Sequence, residues 1–429
     1  MNILLLGSGG REHTLSWLIS KSPLCSKLFI APGNGGTGLI GENIMLNPVD
    51  FEKVKEFVLA QNINFVIVGP EDPIVNGIAD FFENDAELKN IPILAPPAKG
   101  AQLEGSKEFA KLFMQKYNIP TANYKSFVAS ELPEAVKYIE QHPLPIVIKA
   151  DGLAAGKGVT IRTNIKEAKA DMEELFINQK FGAAGQKVVI EQFLDGIELS
   201  AFVLTDGNKY VMLPQAKDYK KIGEGDTGPN TGGMGCISPV PFVNAEFQQK
   251  IVERIIEPTI HGLKQEGILF KGFIFFGLIN VDGNPFVIEY NVRLGDPETE
   301  VILPRIDEDF LPYLLSAAKG NLISETIKIK PEYATTVMAV SKGYPDAYEK
   351  GKQINGLEKV DNGLLFHAGT KMENNQFTTS GGRVLCVTSL DADMKLALQN
   401  SYQQLEKIIF ENKYLRKDIG KDLFKYLEE

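Results

Sequence analysis

Apolar residues in the first hundred positions fall into two alternating patterns. Asn2–Leu6, Leu28–Ala31 and Phe65–Val68 are short, nearly unbroken apolar runs, which read as strands buried on both faces. Between them Glu12–Ser20 has a helical pattern, and Phe51, Val54, Phe57 and Val58 recur at helical spacing. That order predicts a parallel sheet with helices on both faces. Ala95-Pro96-Pro97 punctuates the pattern and marks a first boundary. Ser106 then predicts the cap of a helix bearing Phe109, Leu112 and Phe113, which Asn118 to Pro120 would end. Pro145–Lys149 and Val159–Arg162 read as strands flanking a glycine loop, and Lys187–Glu191 as another. Phe273–Val281 and Pro285–Asn291 form a hairpin about Asp282-Gly283-Asn284. From about 331 come short strands, Thr335–Val340 and Arg383–Thr388, and a closing helix near 392–411. There is no internal repeat and no low-complexity tract.

Composition narrows the class. The chain has 429 residues and a formal net charge of −10. At roughly 150 residues per domain, that length implies about three domains. The acidic balance argues against a nucleic-acid coat or a membrane-surface protein, so any site for an anion must be local. Cys25, Cys236 and Cys386 are far apart and form no CxxC pair, which disfavours a disulfide framework or a zinc knuckle and fits a reducing compartment. The N-terminal apolar run is too short for an export signal. Phe273 to Ile279, the longest apolar stretch, is broken by Gly277 and far below membrane length.

Two glycine loops carry candidate phosphate chemistry. Gly7-Ser8-Gly9-Gly10-Arg11-Glu12-His13 follows a strand and opens a helix, where free N–H groups favour an anion. A dinucleotide fingerprint needs a small residue where Glu12 stands, and an acid where Ala31-Pro32-Gly33-Asn34 stands. The loop therefore suggests a phosphate or phosphosugar, although a tight turn without ligand would also use the glycines. Pro32–Gly36 and Gly69–Pro73 should open on the same sheet edge. Lys149 to Gly158 is not a Walker A sequence: its glycines are too close, Gly158 replaces the metal-binding hydroxyl, and its flanks read strand–loop–strand. Such a hairpin can fold a glycine flap over ATP phosphates, or be a flexible hairpin with two solvated lysines.

Phe286–Arg293 alternates, with Phe286, Ile288 and Tyr290 expected on one face and Val287, Glu289 and Asn291 on the other. Glu289 and Asn291 then present two hard oxygens in one direction, which suits Mg²⁺ shared with nucleotide phosphates; an exposed polar edge is the plainer alternative. Arg293 offers a planar fork for a carboxylate or phosphate. Gly223 to Gly235 holds six glycines in thirteen residues and reads as a mobile loop that orders on a ligand, after the locally basic Lys217-Asp218-Tyr219-Lys220-Lys221.

Together the segments GSGGREH, APGN, VGPE, QLEGSK, VIKADGLAAGKGV, IEQFLDG, DTGPNTGGMG, VIEYNVRLGDPET, FHAGT and GGRVLCVTSL resemble, in order and over essentially the whole chain, the glycinamide ribonucleotide synthetase (phosphoribosylamine–glycine ligase) family of the ATP-grasp superfamily. The resemblance implies an α/β chain: a doubly wound, Rossmann-like N-terminal domain (1–103) binding a phosphosugar, an ATP-grasp domain (104–330) with a mobile lid at about 121–190, and a small α+β C-terminal domain (331–429). It implies ligation of glycine to 5-phosphoribosylamine with ATP as cosubstrate and Mg²⁺ or Mn²⁺ as cofactor. It also implies small-molecule partners only, and a cytoplasmic monomer. No protein nucleophile is required, since glycine is activated as glycyl phosphate. Carried over position by position, Lys107, Lys149 and the flap glycines Gly152, Gly156 and Gly158 with Lys157 would hold the phosphates. Glu191, Phe193 and Leu194 would read adenine, and Glu198 the ribose. Glu289 and Asn291 would bind metal. Asp218, Thr227, Thr231, Gly232, Gly233 and Arg293 would surround glycine and its acyl phosphate, with Arg293, Lys149 and Asp218 catalytic. Gly9, Gly10, Asn34 and Glu71 would contact the phosphosugar. Two departures stand out: Phe276-Gly277-Leu278 offers no further metal-binding acid, as in this ligase family generally, and Tyr219 stands where relatives commonly have His.

The close rival is another ATP-grasp ligase, which the flap and metal strand cannot separate from this one. A nicotinamide-dependent oxidoreductase is disfavoured by the missing glycine and ribose-binding acid. A non-catalytic nucleotide-binding regulator is disfavoured by the retained lysines, Glu289, Asn291 and Arg293.

Overall fold

The computed structural model describes residues 1–152, 158–178 and 185–427. Strands β1 (Asn2–Gly7), β2 (Lys27–Pro32), β3 (Glu42–Asn43), β4 (Phe65–Val68) and β5 (Ile93–Leu94) form a parallel sheet ordered β3-β2-β1-β4-β5. The strands are apolar on both sides because both are covered. Leu4 and Leu6 pack with Val54, Val58 and Phe82, while Ile3 and Leu5 pack with Leu15 and Ile19. Leu6 pairs with both Ala31 and Val68, so the loops after β1, β2 and β4 open on one edge.

A second, antiparallel sheet is ordered β6-β9-β7-β8, from β6 (Tyr124–Val128), β7 (Ile146–Ala150), β8 (Val159–Arg162) and β9 (Lys187–Gln192). It has its own core of Phe127, Ile139, Ile148, Met172 and Ile190, built with helices Leu132–Gln141 and Ile165–Phe176. Strands β7 and β8 are the two arms of the glycine flap. Gly156 and Lys157, which the sequence assigns to this flap, lie outside the described residues. This subdomain joins the body where Thr121 bridges to Val287 and the Thr121 hydroxyl donates to the Val287 carbonyl at 2.7 Å.

The third sheet runs through the rest of the chain. Its members in chain order include β10 (Ile197–Thr205) and β11 (Tyr210–Asp218), then a small separate hairpin, β12 (Lys221–Gly223) and β13 (Thr227–Asn230). There follow β14 (Gly235–Ser238), β15 (Gly272–Val281), β16 (Asn284–Asn291), β17 (Tyr333–Ser341) and β18 (Leu364–His367). A second small hairpin, β19 (Thr370–Glu373) and β20 (Gln376–Thr379), precedes β21 (Arg383–Asp391) and β22 (Lys413–Tyr414). The order is β16-β15-β10-β11-β14-β17-β21-β18, with β22 on β17. Through β14 the C-terminal strands continue the central sheet rather than forming one of their own.

Two expectations about this sheet need correcting. The β15–β16 turn is tighter than read: Asp282 and Gly283 alone make it, with φ of 48° and 75°, and Asn284 already belongs to the strand. More consequentially, β16 does not alternate simply. Gly277 pairs with Glu289 and Leu278 with Val287, which leaves Ile288 as a bulge. Val287 therefore joins Tyr290 in the core, and Phe286 and Ile288 do not share Tyr290's buried environment. Glu289 and Asn291 still share a face, because no bulge separates them.

Part of the glycine-dense stretch read as a loop, as far as Asn230, is paired as a hairpin, β12–β13. Arg416 Nη1 meets Asp226 at 2.7 Å, the Gly225 N–H donates to Asp418 at 2.7 Å, and the Tyr414 hydroxyl donates to the Ile222 carbonyl at 3.0 Å.

Candidate active site

The three sheets meet around a cleft of about 1290 Å³. One end of it is built where the β6–β9 subdomain joins the body. Ser106 caps helix Lys107–Lys116 by accepting from the Phe109 N–H at 3.1 Å, as its sequence position predicts. Asp151, at the end of β7, accepts from the Lys107 N–H at 2.5 Å, so a carboxylate occupies this helix N-terminus. Lys107 Nζ donates to the Gly152 carbonyl at 2.8 Å. Gly152 has φ +112°, a conformation that a side chain would strain. The Gly158 carbonyl accepts from the Ala150 N–H at 2.8 Å and closes the flap's base.

Lys149 is buried and lies 3.0 Å from one oxygen of Glu191, while Lys111 lies 3.0 Å from the other. Lys111 went unremarked in the sequence, although it follows Lys107 by one helical turn. Burial lowers its ammonium to about 8 despite Glu191. The Glu191 side chain is thus spent on two lysines. Gln192, Phe193 and Leu194 continue along the cleft wall to Gly196 and Glu198. Glu198 pairs with Lys220 at 2.9 Å, and that charge holds its carboxyl below the usual range.

Across the cleft, Glu289 and Asn291 both line the wall. Glu289 fits because its partner is Gly277, where an added β-carbon would lie 3.0 Å from Glu289 Cγ. Two hard oxygens from a carboxylate and an amide suit a divalent cation that completes its shell with phosphate oxygens and water. Asp218, Lys220 and Glu298 stand nearby. Burial raises the Asp218 carboxyl, partly offset by Lys220. Burial, reinforced by Asp218, lifts Glu298 to about 7. Glu298, whose Oε1 accepts from the Ser200 hydroxyl at 3.2 Å, carried no assigned role in the sequence. Tyr219 turns away from this wall: its ring is buried and its hydroxyl donates to Asp422 at 2.5 Å.

The first domain closes the far end. Arg293 reaches Glu71 at 3.2 Å and Glu104 at 2.9 Å. Burial raises Glu104 to about 7 against the pull of Arg293. Glu71 therefore lines the cleft as an ion-pair partner of Arg293. Glu12 fills the position where a dinucleotide would need a small residue. It accepts from the Gly9 N–H at 2.6 Å and from Arg11 Nε at 2.6 Å. A β-carbon at Gly7 would lie 2.5 Å from the Glu12 carboxyl carbon, which explains that glycine. The protein's own carboxylate thus takes the anion position at this helix start.

Several expected contacts fall elsewhere. Asn34 is not on the cleft: its amide donates to the Ser8, Gly9 and His367 carbonyls, and its oxygen accepts from the Gly36 and Thr37 N–H groups. It straps two loops and the C-terminal region together, with no donor left for a sugar. Gly10 packs against buried Glu300. In the glycine-rich hairpin, Thr231 and Gly232 line the cleft, but Thr227 is exposed and bonds to the Glu224 carbonyl. Gly233, at φ +118°, packs on Pro297.

Residues 1–104 match the N domain of phosphoribosylglycinamide synthetase, 105–299 its ATP-grasp (A) domain and 334–422 its C domain. The phosphoribosylamine–glycine ligase of Chlorobaculum tepidum is 44% identical, covering 98% of this chain and 99% of that protein. A bifunctional purine biosynthetic protein of Pichia angusta is 43% identical over 99% of this chain, which spans 54% of that longer protein. The crystal structure of the Thermotoga maritima phosphoribosylamine–glycine ligase superposes with a TM-score of 0.84 at 36% identity, covering 97% of this chain and 100% of that one. An ADP complex of N5-carboxyaminoimidazole ribonucleotide synthetase shares the fold alone, with a TM-score of 0.66 at 16% identity over 94% of this chain and 96% of that one. With all three of its sequence regions and its tertiary structure matched, the chain belongs to the phosphoribosylamine–glycine ligase family.

Proposed function

We propose that the cleft ligates glycine to 5-phospho-D-ribosylamine at the expense of ATP, giving glycinamide ribonucleotide, ADP and phosphate. The observation that carries the reading is the convergence on one cleft of two lysines from the lid root, the Glu289–Asn291 pair and Arg293, in a chain matched to this family along its length. A carboxylate is a poor electrophile, so glycine is first phosphorylated by ATP to glycyl phosphate, and the amine then displaces phosphate from the acyl carbon. Lys107, Lys149, Gly152 and Gly158, together with Gly156 and Lys157, hold the nucleotide phosphates. Residues Glu191 to Leu194 line the adenine end and Glu198 takes the ribose. Glu289 and Asn291 hold Mg²⁺ or Mn²⁺, which when bound neutralises charge on the transferring phosphoryl group.

Arg293, held in place by Glu71 and Glu104, orients the glycine carboxylate beside Thr231, Gly232 and Asp218. Gly9 and Glu71 line the end that receives the phosphosugar. No protein nucleophile is called for: Cys236 and Cys386 are buried with thiols pushed up by burial, and His13 and His367 are packed together away from the cleft. The lid corresponds to residues 121–190, between a first domain ending near 103 and a C-terminal one starting near 331. The enzyme works as a cytoplasmic monomer on small molecules, without nucleic-acid or membrane partners; a net charge of −10 supports the last of these, since it gives no bulk attraction for polyanions.

The test is phosphate release with ATP, Mg²⁺ and glycine, with and without freshly made phosphoribosylamine. Release should depend on both the acid and the amine. Equal release with alanine or bicarbonate in place of glycine would instead point to a different ligase.

A further inference from the structure

Arg383 opens β21 and lines the cleft at the end where the first-domain loop, β16's extension and the C-terminal strands meet. Its Nη1 donates to the Gly232 carbonyl at 2.7 Å and the Asp296 carbonyl at 2.6 Å, and lies 3.0 Å from Asp296 Oδ1. Its Nε and Nη2 make no hydrogen bond among the described residues, although the side chain is only 20% exposed. The guanidinium lies flat on Gly232, where an added β-carbon would be 2.8 Å from Cζ and 2.9 Å from Nη2. A fork anchored by one nitrogen, with its other edge unspent, suits a phosphate monoester. Beside it, the Tyr344 hydroxyl accepts from the Gly232 N–H at 2.9 Å and keeps its own hydrogen to donate.

Several other candidates for an anion at this end are already engaged. The Gly9 N–H points to Glu12, Arg11 is bound to Glu12 and to the Leu294 carbonyl, and Arg293 is bound to Glu71 and Glu104. Asn34 is saturated. The first-domain loop, which the sequence suggests as the phosphate cradle, has satisfied its own anion need with Glu12. Asp296 also bonds to the Arg11 N–H at 3.2 Å, which brings Arg383 close to that loop and to Gly9.

We propose that Arg383, with the Tyr344 hydroxyl, binds the 5-phosphate of the amine substrate, so that the C-terminal region and not the first-domain loop selects a phosphorylated sugar. This rests on the functional reading above, and the tests separate the two. If wild-type enzyme fails to turn over phosphoribosylamine with ATP and glycine, the functional reading falls. If it turns over, R383Q should raise KM for phosphoribosylamine roughly 10- to 100-fold while KM for ATP and glycine stays within about twofold. R383K, which keeps the charge but loses the fork, should fall between. Ribose 5-phosphate should compete with phosphoribosylamine on the wild type, ribose should not, and R383Q should lose that inhibition. An unchanged KM for the phosphosugar, an equal rise for all three substrates, or unaltered inhibition by ribose 5-phosphate in R383Q would overturn the proposal. Should R383Q not fold, R383K and Y344F carry the same readouts.

Discussion

Glu12 shows how one side chain can redirect a familiar loop. Its carboxylate accepts from the Gly9 N–H and Arg11, and it occupies the space that Gly7 leaves by having no side chain. The same crowding governs Gly10, whose β-carbon would run into the Glu300 carboxylate. Gly10→Ala should therefore cost about 1–3 kcal/mol in urea unfolding; a neutral result would mean that Glu300 is not packed there. Under the proposed function Glu289 holds the metal instead. Glu289→Ala should cut ADP release about 100-fold or more while leaving the thermal midpoint within a few degrees, because the site loses a hard oxygen ligand and no core contact. Wild-type turnover would remove Glu289 from the metal site.

At the scale of elements, β16 and the β12–β13 hairpin, which hold or adjoin several of the proposed site residues, were legible to different degrees. Two residues of spacing suffice to put Glu289 and Asn291 on one face, so that pairing was legible. The bulge at Ile288 was not, because it depends on the partner strand: Leu278 and Gly277 decide which β16 residues they oppose. The hairpin's glycines suggested mobility, since their composition is that of a loop. What holds it is Arg416, almost two hundred positions away, buried between Asp226 and Asp418. Arg416→Ala should loosen the hairpin, read as faster proteolytic cutting between 221 and 230 and a raised KM for glycine, because Thr231 and Gly232 follow it directly. Unchanged cutting would show that Tyr414 and Asp418 suffice.

Across the whole molecule, the first domain is bolted to the C-terminal region by a pair of neutral histidines. The His367 N–H donates to His13 Nδ1 at 2.7 Å, and His367 Nδ1 meets the Thr370 hydroxyl at 2.9 Å. Burial, with His367 adding to it, lowers His13 to about 3, and burial lowers His367 to about 4. In the unfolded chain each would bind a proton near pH 6.5. Between those values the unfolded state holds more protons than the folded one, so stability is full above about pH 6.5 and falls as the pH drops toward 4. The thermal midpoint should decline across that window, and His13→Asn, which keeps an acceptor but cannot titrate there, should make the decline shallower. An equally steep decline would exonerate His13.

Local chemistry alone determined a good deal here. Apolar periodicity yields the parallel sheet, a serine before a helical pattern yields the cap at Ser106, and glycine and lysine spacing separates the flap from a Walker sequence. These features depend on neighbours within a few residues, so they are written in order along the chain. Tertiary structure decided which polar groups remain free. Asn34 and Glu191 look like ligand contacts in the sequence, yet each is satisfied in whole or part by residues distant in the chain, while Arg383 retains an open edge for the same reason. A hydrogen-bonding group can serve a ligand only if folding leaves it unspent, and that is settled by partners that sequence proximity does not reveal.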